Sequence, residues 1–375
     1  MKASIISHSA DVDGLMAAFF VMVREESRGN SVEVKFSDYD DMLFNLEASD
    51  GQLIYVCDLG IDKEKEQRLV NLVKDKIAYG ASVTYIDHHP DDPTVLRALS
   101  DLGVNVIHSL DDCAGVLAYS SFQEEIPQRY AIYAAYAAIG DHMEKGKIAS
   151  QIIAKVDSIL AYFEASVLTL AIDKKDNIKS GLLAYLKQSP FSHSYPGVME
   201  AATKQLAQME EFSKRQFHVE RGSHYSWAHS DCSFFTGRAA TLMLQLLPID
   251  VAVAYKLDEE RGAYDVSFRC ATDVDIDLGI LAHDVATWVG GTGGGHKKAS
   301  GASVPSNKLE DFLKAIAQRL RGLALLVKGY EVKAPYLRNR DVSLLLQGHH
   351  VSPKGCLWYR KRTQQLRLEC LTPVG

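Results

Sequence analysis

The stretch Ser82-Val83-Thr84-Tyr85-Ile86-Asp87-His88-His89 places one carboxylate and two imidazoles directly after a short apolar run. A run rich in β-branched and aromatic residues is typical of a buried strand. The Asp-His-His packet therefore lies at the carboxyl end of a predicted strand. In open α/β sheets, this edge is where functional side chains from several strands meet.

Three further packets of acidic and histidine residues end other segments of the chain. They are His8, Asp11 and Asp13 after the apolar run 3–7, Asp58 after the run 53–57, and Asp141 with His142 after a helical stretch at 133–140. Since strand ends converge on one crevice, we expect the four packets to gather around metal. The sequence therefore predicts a metalloenzyme.

Alternating strands and helices in the first part of the chain predict an α/β fold with a mostly parallel, doubly wound sheet. The predicted strands are 3–7, 32–36, 53–57, 83–86 and 104–107, with helices at 15–26, 63–78 and 93–102. Helices then follow at 114–123, 128–139, 148–170 and 198–219. A second, smaller α/β lobe has predicted strands 225–229, 251–257, 264–269 and 299–304, helices 238–247, 278–289 and 308–326, and a glycine cluster before its last strand.

We predict a metal-binding catalytic domain at 1–170, a hinge and connecting helix at 171–220, and a substrate-binding domain at 221–327. A basic extension is predicted at 328–375, mostly β, with strands expected at 342–347 and 366–370. It contains nine lysines and arginines and three carboxylates. The active site is expected in the cleft between the two lobes.

The composition is that of an ordinary globular protein of 375 residues, 47% of them apolar. No run approaches the roughly 20 apolar residues of a membrane span, and the N-terminus does not resemble a signal peptide. Six scattered cysteines indicate reduced thiols, and the net charge of −7 argues against broad non-specific nucleic-acid binding. We therefore expect a cytoplasmic protein without a membrane partner.

Some of these acidic residues, taken singly, could have a structural role instead of binding metal. Asp13 could be the N-cap of the following helix with Asp11 in a turn, and Asp58 could cap the next helix. Two adjacent histidines beside an aspartate are harder to explain as core residues. His88 and His89 should point in different directions, one to metal and one to substrate, with Asp87 orienting an imidazole.

Carboxylates mixed with imidazoles, without thiolates, favour manganese or magnesium over structural zinc or copper. The number of candidate ligands predicts two ions, about 3.5–4 Å apart, that activate water for attack at phosphorus. Phosphoester hydrolysis is the reaction that this arrangement suits.

The second feature is the loop Gly290-Gly291-Thr292-Gly293-Gly294-Gly295-His296-Lys297-Lys298. Glycines allow backbone N–H groups to approach an anion, and the histidine and lysines supply charge for phosphate. Arg269, at the end of the preceding strand, could add a bidentate contact. The alternative is a flexible hairpin loop without a ligand.

Together these motifs resemble the DHH phosphoesterase family. The match consists of HxxDxDG at 8–14, Asp58, the DHH motif at 87–89, Gly140-Asp141, and the GGGHxxASG loop of the DHH-associated C-terminal domain at 293–301. The resemblance implies two Mn²⁺ ions, with Mg²⁺ as an alternative. It assigns Asp58 as the bridging ligand, His8 and Asp11 to one ion, and Asp13, His88 and Asp141 to the other. His89 would meet the scissile phosphate, oriented by Asp87, while Arg269, Gly294, Gly295, His296 and Lys297 would bind the far end of the substrate.

The substrates that this resemblance implies are short single-stranded oligonucleotides and linear or cyclic dinucleotides. The alternatives are a phosphatase acting on a small nucleotide such as adenosine 3′,5′-bisphosphate, and a nucleotide sensor without activity. In the tail, Trp358-Tyr359-Arg360-Lys361-Arg362 could bind single strands, or a hairpin there could pack on the second lobe or form a subunit contact. A homodimer, cleavage polarity and RNA or DNA preference are left open by the sequence.

Overall fold

The computed structural model describes residues 1–61, 63–172, 178–222 and 225–321, together with five short strands beyond 321. Two compact units divide the chain, Met1–Leu206 and Ala207–Gly375. The domain limits expected from the sequence stay predictions. No helix in the described ranges has the length and apolar character needed to cross a bilayer.

The first unit contains a five-stranded sheet in which every neighbouring pair is parallel. Its strands are β1 (Lys2–His8), β2 (Ser31–Ser37), β3 (Leu53–Cys57), β4 (Ser82–Asp87) and β5 (Asn105–His108). They lie in the order β2-β1-β3-β4-β5. All five carboxyl ends therefore reach the same edge of the sheet, as the sequence predicts.

Helices cover both faces of this sheet. The helices of the chain up to residue 213 are α1 (Val12–Ser27), α2 (Met42–Ala48), α3 (Glu66–Ala78), α4 (Pro93–Asp101), α5 (Ala114–Phe122), α6 (Ala131–Gly140), α7 (Ala149–Ile153), α8 (Ser158–Ala171), α9 (Ile178–Leu186) and α10 (Val198–Ser213). On one face, α1 packs with α5 and α6 against Ile5 and Ile86; on the other, α2, α3 and α4 pack against Ile6 and Val83. Alternate strand residues thus supply two cores, which confirms the predicted doubly wound α/β class.

The second unit contains a mixed six-stranded sheet. Its strands are β6 (Val219–Arg221), β7 (Ser226–Asp231), β8 (Val251–Asp258), β9 (Ala263–Cys270), β10 (Thr292–Gly295) and β11 (Ala299–Pro305), in the order β10-β11-β9-β8-β7-β6. Helices α11 (Thr236–Leu246), α12 (Leu278–Trp288) and α13 (Leu309–Leu320) complete it. Short 3₁₀ turns occur at Gln128–Tyr130, Ser192–Ser194 and Ser306–Lys308.

Beyond residue 321 the described segments are all strands. They are β12 (Leu325–Val327), β13 (Tyr330–Val332), β14 (Cys356–Arg360), β15 (Leu366–Cys370) and β16 (Thr372–Pro373). The strand expected at 366–370 is present and pairs with β14. The strand expected at 342–347, and Lys361 with Arg362, lie outside the described residues.

Several element limits differ from the sequence prediction. The single helix expected at 148–170 is two helices, because the side chain of Asp157 accepts the N–H of Leu160 at 2.7 Å and caps a new helix. The helix expected at 198–219 ends at Ser213, and the one expected at 308–326 ends at Leu320. Part of the glycine cluster, predicted as a loop, is strand β10.

Candidate metal centre and active site

The end of β1 and the start of α1 form the first part of the site. His8 is the last residue of β1, and its Nδ1 lies 2.8 Å from Oδ2 of Asp11. Asp11 caps α1 by accepting the N–H of Gly14 at 2.9 Å, so the N-cap is Asp11 and the alternative of Asp13 as the cap is wrong. A Cβ at residue 14 would collide with the carbonyl oxygen of His8, and this close approach requires glycine.

Asp13 lies in the first turn of α1 and is fully buried. Its two oxygens accept the backbone N–H groups of Ala114 (2.8 Å) and Gly115 (2.7 Å) at the start of α5. A helix N-terminus favours an ionised carboxylate, so α5 holds this side chain in place. The same carboxylate lies 3.7 Å from Nε2 of His88.

Asp58 directly follows β3 and lies between His8 and His88. Its Oδ2 is 3.5 Å from Nδ1 of His8, and its Oδ1 is 3.3 Å from Nε2 of His88. The side chain is buried, and Oδ2 has no hydrogen-bond partner among the described residues. Its backbone φ of 57° falls in the left-handed region, a strained conformation that recurs at functional sites.

The two histidines of the DHH motif point to different partners. Asp87, buried at the end of β4, accepts the backbone N–H of His89 at 2.9 Å and lies 2.9 Å from its Nδ1. His88 instead directs Nε2 towards carboxylates, including Asp141 at 3.5 Å. Asp141 follows α6 directly, so a helix end supplies this carboxylate.

These side chains form overlapping groups whose ligand atoms lie within 4.8 Å of one another. The groups are His8, Asp11 and Asp58; Asp13, His88 and Asp141; and Asp58, His88 and His89. All six residues that the sequence assigns to metal are therefore gathered, and Asp58 of the first group also lies beside His88 of the second. His142, which follows Asp141 in the sequence, belongs to none of the groups found in the described ranges.

The predicted substrate-binding residues lie in the second unit. Gly294 and Gly295 belong to β10 and pair with Gly301 and Ser300 of β11. His296 closes the β10–β11 turn, its N–H donating to Ala299 at 2.8 Å. The Lys297 ammonium lies 3.1 Å from Asp275, whereas Lys298 donates to backbone carbonyls and does not fit the predicted role in phosphate binding.

Close packing explains part of the glycine cluster. A Cβ on Gly293 would lie 2.6 Å from the carbonyl oxygen of Ala282 in α12, whereas a Cβ on Gly294 would meet nothing within 4 Å. Gly293 thus allows α12 to approach β10, and Gly294 leaves open space above the strand. A Cβ would therefore fit at Gly294 but not at Gly293.

Arg269, on β9, faces the start of α11. A Cβ on Gly237 would lie 2.8 Å from its Nη2, and its Nη1 donates to the carbonyl of Phe268 at 2.9 Å. Burial lowers the pKa of this guanidinium, as it does for Arg238 in the first turn of α11, where the pKa falls to about 10. Arg238 was not singled out by the sequence, because an arginine within a helix carries no motif.

Comparison with known proteins agrees with this architecture. Residues 236–322 match the DHHA1 domain. The fold resembles a solved DHH-domain protein described as a member of a family of ribosomal proteins (TM-score 0.62, 16% identity, 85% of this chain and 86% of that chain). The chain thus carries a DHHA1 domain and has the fold of a DHH-domain protein, in agreement with the resemblance predicted from its motifs.

Two other solved structures have a similar fold. They are CDC45 from Entamoeba histolytica (TM-score 0.54, 9% identity, 84% and 95% coverage) and RecJ from Thermus thermophilus in complex with Mn²⁺ (TM-score 0.51, 14% identity, 85% and 52% coverage). The chain thus spans about half the length of RecJ. No curated protein matches the sequence. At such low identity the similarities show the fold alone.

The residues that could hold metal include more carboxylates than their imidazoles can compensate. Burial, with Asp13 nearby, raises the pKa of Asp141 to about 9. Burial and the carboxylates of Asp11 and Asp13 raise the pKa of Asp58 well above its usual range. Burial disfavours the charged form of His8, but Asp11 outweighs it and raises the His8 pKa. Divalent cations would relieve this repulsion, and the unpartnered Asp58 oxygen fits a ligand.

Three residues near the site escaped the sequence analysis. The Tyr39 hydroxyl, in the loop after β2, lies 3.0 Å from Nε2 of His89. His108, at the end of β5, hydrogen-bonds the carbonyl of His89 through Nε2 at 2.7 Å. Asp91 accepts from Tyr85 at 2.7 Å, and burial, with Asp87 nearby, raises its pKa to about 6. His108 ends a strand whose carboxyl end lies at the predicted edge, and this position is the signal that could have identified it.

Proposed function

We propose that this protein is a manganese-dependent phosphodiesterase that hydrolyses short oligonucleotides or dinucleotides to mononucleotides. The observation that carries the proposal is the pair of ligand groups that share Asp58, His8 with Asp11 on one side and His88 on the other. A shared carboxylate between two groups of hard oxygen and imidazole ligands is the arrangement expected of a two-metal hydrolase.

In this proposal, one cation is held by His8, Asp11 and Asp58, and the other by Asp13, Asp58, His88 and Asp141. Bound cations supply an activated water and neutralise phosphate oxygens. The RecJ structure that shares the fold is a complex with Mn²⁺, and another RecJ structure contains Mg²⁺. The carboxylate-rich ligand set suits either ion.

His89 is proposed to contact the scissile phosphate. Asp87 accepts its backbone N–H and engages its Nδ1, so the ring cannot turn without breaking the hydrogen bond at Nδ1. An imidazole fixed through Nδ1 offers Nε2 to the substrate, which would take the place of the Tyr39 hydroxyl that lies 3.0 Å from this nitrogen. Asp87 is therefore assigned to the orientation of His89 rather than to metal.

The substrate-binding role is assigned to Arg269, Gly294, Gly295, His296 and Lys297 of the DHHA1 domain. Arg269 makes no ion pair with a carboxylate among the described residues, which leaves its guanidinium able to bind a phosphate. Gly294 has open space at its Cα, so a phosphate could approach the backbone there.

The test is hydrolysis of end-labelled RNA and DNA from two to about twenty nucleotides, in Mn²⁺, beside cyclic dinucleotides. Asp58→Asn should abolish activity. Asp92→Asn is the matched control, since Asp92 caps α4 nearby and asparagine caps equally well. We expect mononucleotide products, formed fastest from the shortest chains. Wild-type protein that loads Mn²⁺ but cleaves none of these substrates would refute the proposal.

A phosphatase acting on a small nucleotide is the second candidate, because the same ligand groups would serve a phosphomonoester. Adenosine 3′,5′-bisphosphate in the same assay distinguishes the two functions. Faster release of inorganic phosphate from this compound than of mononucleotides from dinucleotides would favour the phosphatase.

A further inference from the structure

Both ring nitrogens of His89 have partners within the first unit. Nδ1 lies 2.9 Å from Oδ1 of Asp87, and Nε2 lies 3.0 Å from the hydroxyl of Tyr39. An ionised carboxylate can only accept, so the Asp87 contact assigns the hydrogen to Nδ1. In the neutral ring Nε2 then bears the lone pair, and the Tyr39 hydroxyl donates to it.

His89 is also close enough to become a metal ligand. It offers a nitrogen within 4.8 Å of ligand atoms of Asp58 and His88, the residues at the centre of the site. A ligating imidazole needs an unprotonated nitrogen with an uncommitted lone pair. With Nδ1 bound to Asp87, only Nε2 qualifies, and Tyr39 occupies its lone pair.

The position of Tyr39 is itself well defined. The ammonium of Lys65 donates to the Tyr39 carbonyl at 2.9 Å, which anchors the backbone after β2. The phenol ring lies 4.9 Å from the ring of His8 and 5.7 Å, edge-on, from that of His89. Tyr39 therefore contacts a histidine of the first ligand group and the last histidine of the DHH motif.

We propose that Tyr39 is a positioning residue that keeps Nε2 of His89 from coordinating metal and so reserves this histidine for the substrate. The substrate role of His89 rests on the proposed phosphodiesterase function. The exclusion of His89 from the metal does not, since it concerns only which side chains coordinate the ion.

Pulsed electron paramagnetic resonance of the Mn²⁺-loaded protein tests the coordination, because it detects histidine nitrogens bound to the ion. Tyr39→Phe removes only the hydroxyl. We expect its spectrum to gain one coupled imidazole nitrogen relative to wild type, and Tyr39→Phe/His89→Ala to lose that signal. Identical spectra for wild type and Tyr39→Phe would overturn the proposal.

Turnover of a labelled dinucleotide gives the second readout. Tyr39→Phe should lower kcat by about two- to tenfold, the effect of one hydrogen bond, with a smaller change in KM. In the His89→Ala background the same substitution should have no further effect, because Tyr39 acts through His89. An equal loss in both backgrounds would contradict that coupling.

Tyr136→Phe is the matched control for the loss of a buried tyrosine hydroxyl. Tyr136 is fully buried in α6, and its hydroxyl donates to the carbonyl of Pro190 at 2.9 Å. The Tyr136→Phe protein should match wild type both in its Mn²⁺ spectrum and in kcat for the dinucleotide. The spectra need no substrate, so a protein that hydrolyses nothing would refute the proposed function while the coordination could still be decided.

Discussion

Asp58→Asn should stabilise the metal-free protein. The Asp58 side chain is buried, Oδ2 lacks a hydrogen-bond partner among the described residues, and burial with nearby carboxylates raises its pKa well above the usual range. A buried carboxylate beside other carboxylates is destabilised in its ionised form, by about 1.4 kcal/mol for each unit by which its pKa is raised. Asparagine keeps the shape, removes the charge and tolerates the φ of 57°. We therefore expect a gain of about 1–3 kcal/mol in the free energy of unfolding.

The order of stabilities should reverse when Mn²⁺ is added. A ligand at about a hundred times its dissociation constant stabilises the native state by about 2.7 kcal/mol. Wild type should gain this amount, whereas Asp58→Asn, which lacks the shared carboxylate, should gain much less. For a unit of this size each kcal/mol corresponds to about 2–4 °C in the melting temperature.

Differential scanning calorimetry with chelator and with excess Mn²⁺ measures both effects. Asp92→Asn changes a half-buried helix cap outside the ligand groups and should follow wild type under both conditions. The reasoning would be refuted if Asp58→Asn melted below wild type in chelator, or if Mn²⁺ stabilised the two proteins equally.

Four further substitutions test particular contacts. Gly14→Ala should destabilise the first unit by about 1–3 kcal/mol and weaken Mn²⁺ binding in calorimetric titration, because a Cβ would collide with the end of β1. Gly293→Ala should lower the melting temperature, whereas Gly294→Ala should leave it unchanged and raise KM about tenfold by blocking the approach of phosphate. In metal-free protein, stability should fall as pH rises from about 4 to about 9, since the folded pKa of Asp141 is about 9 and the unfolded value is near 4. Asp141→Asn should flatten this slope in urea titrations at several pH values.

The metal groups could be predicted from the sequence because topology, rather than local conformation, brings them together. His8, Asp58 and His88 are far apart in the chain, but each lies at or directly after the carboxyl end of a parallel strand. Parallel connection places all such ends at one edge of the sheet. The prediction therefore needed only the strands and their direction, and both can be read from apolar runs separated by helices.

Contacts that depend on single loop conformations could not be predicted in this way. Tyr39 lies in a polar loop with no distinctive pattern, and its contact with His89 depends on the course of the chain after β2. The glycine cluster was predicted as a loop because glycine disfavours strands, yet β10 forms since Gly293 allows α12 to pack closely on it. Tertiary packing decided both cases.

The same residues that would hold the cations weaken the fold without them. Asp58 combines a strained backbone with an oxygen that has no partner among the described residues, and Asp141 has a pKa of about 9 in the absence of any ion. Structural hydrogen bonds would have removed these penalties at little cost, as α5 does for Asp13 through two N–H groups. Carboxylates crowded together with unused acceptor capacity are better explained by a bound cation than by folding. For this reason the dependence of stability on metal tests the site more directly than the loss of activity does.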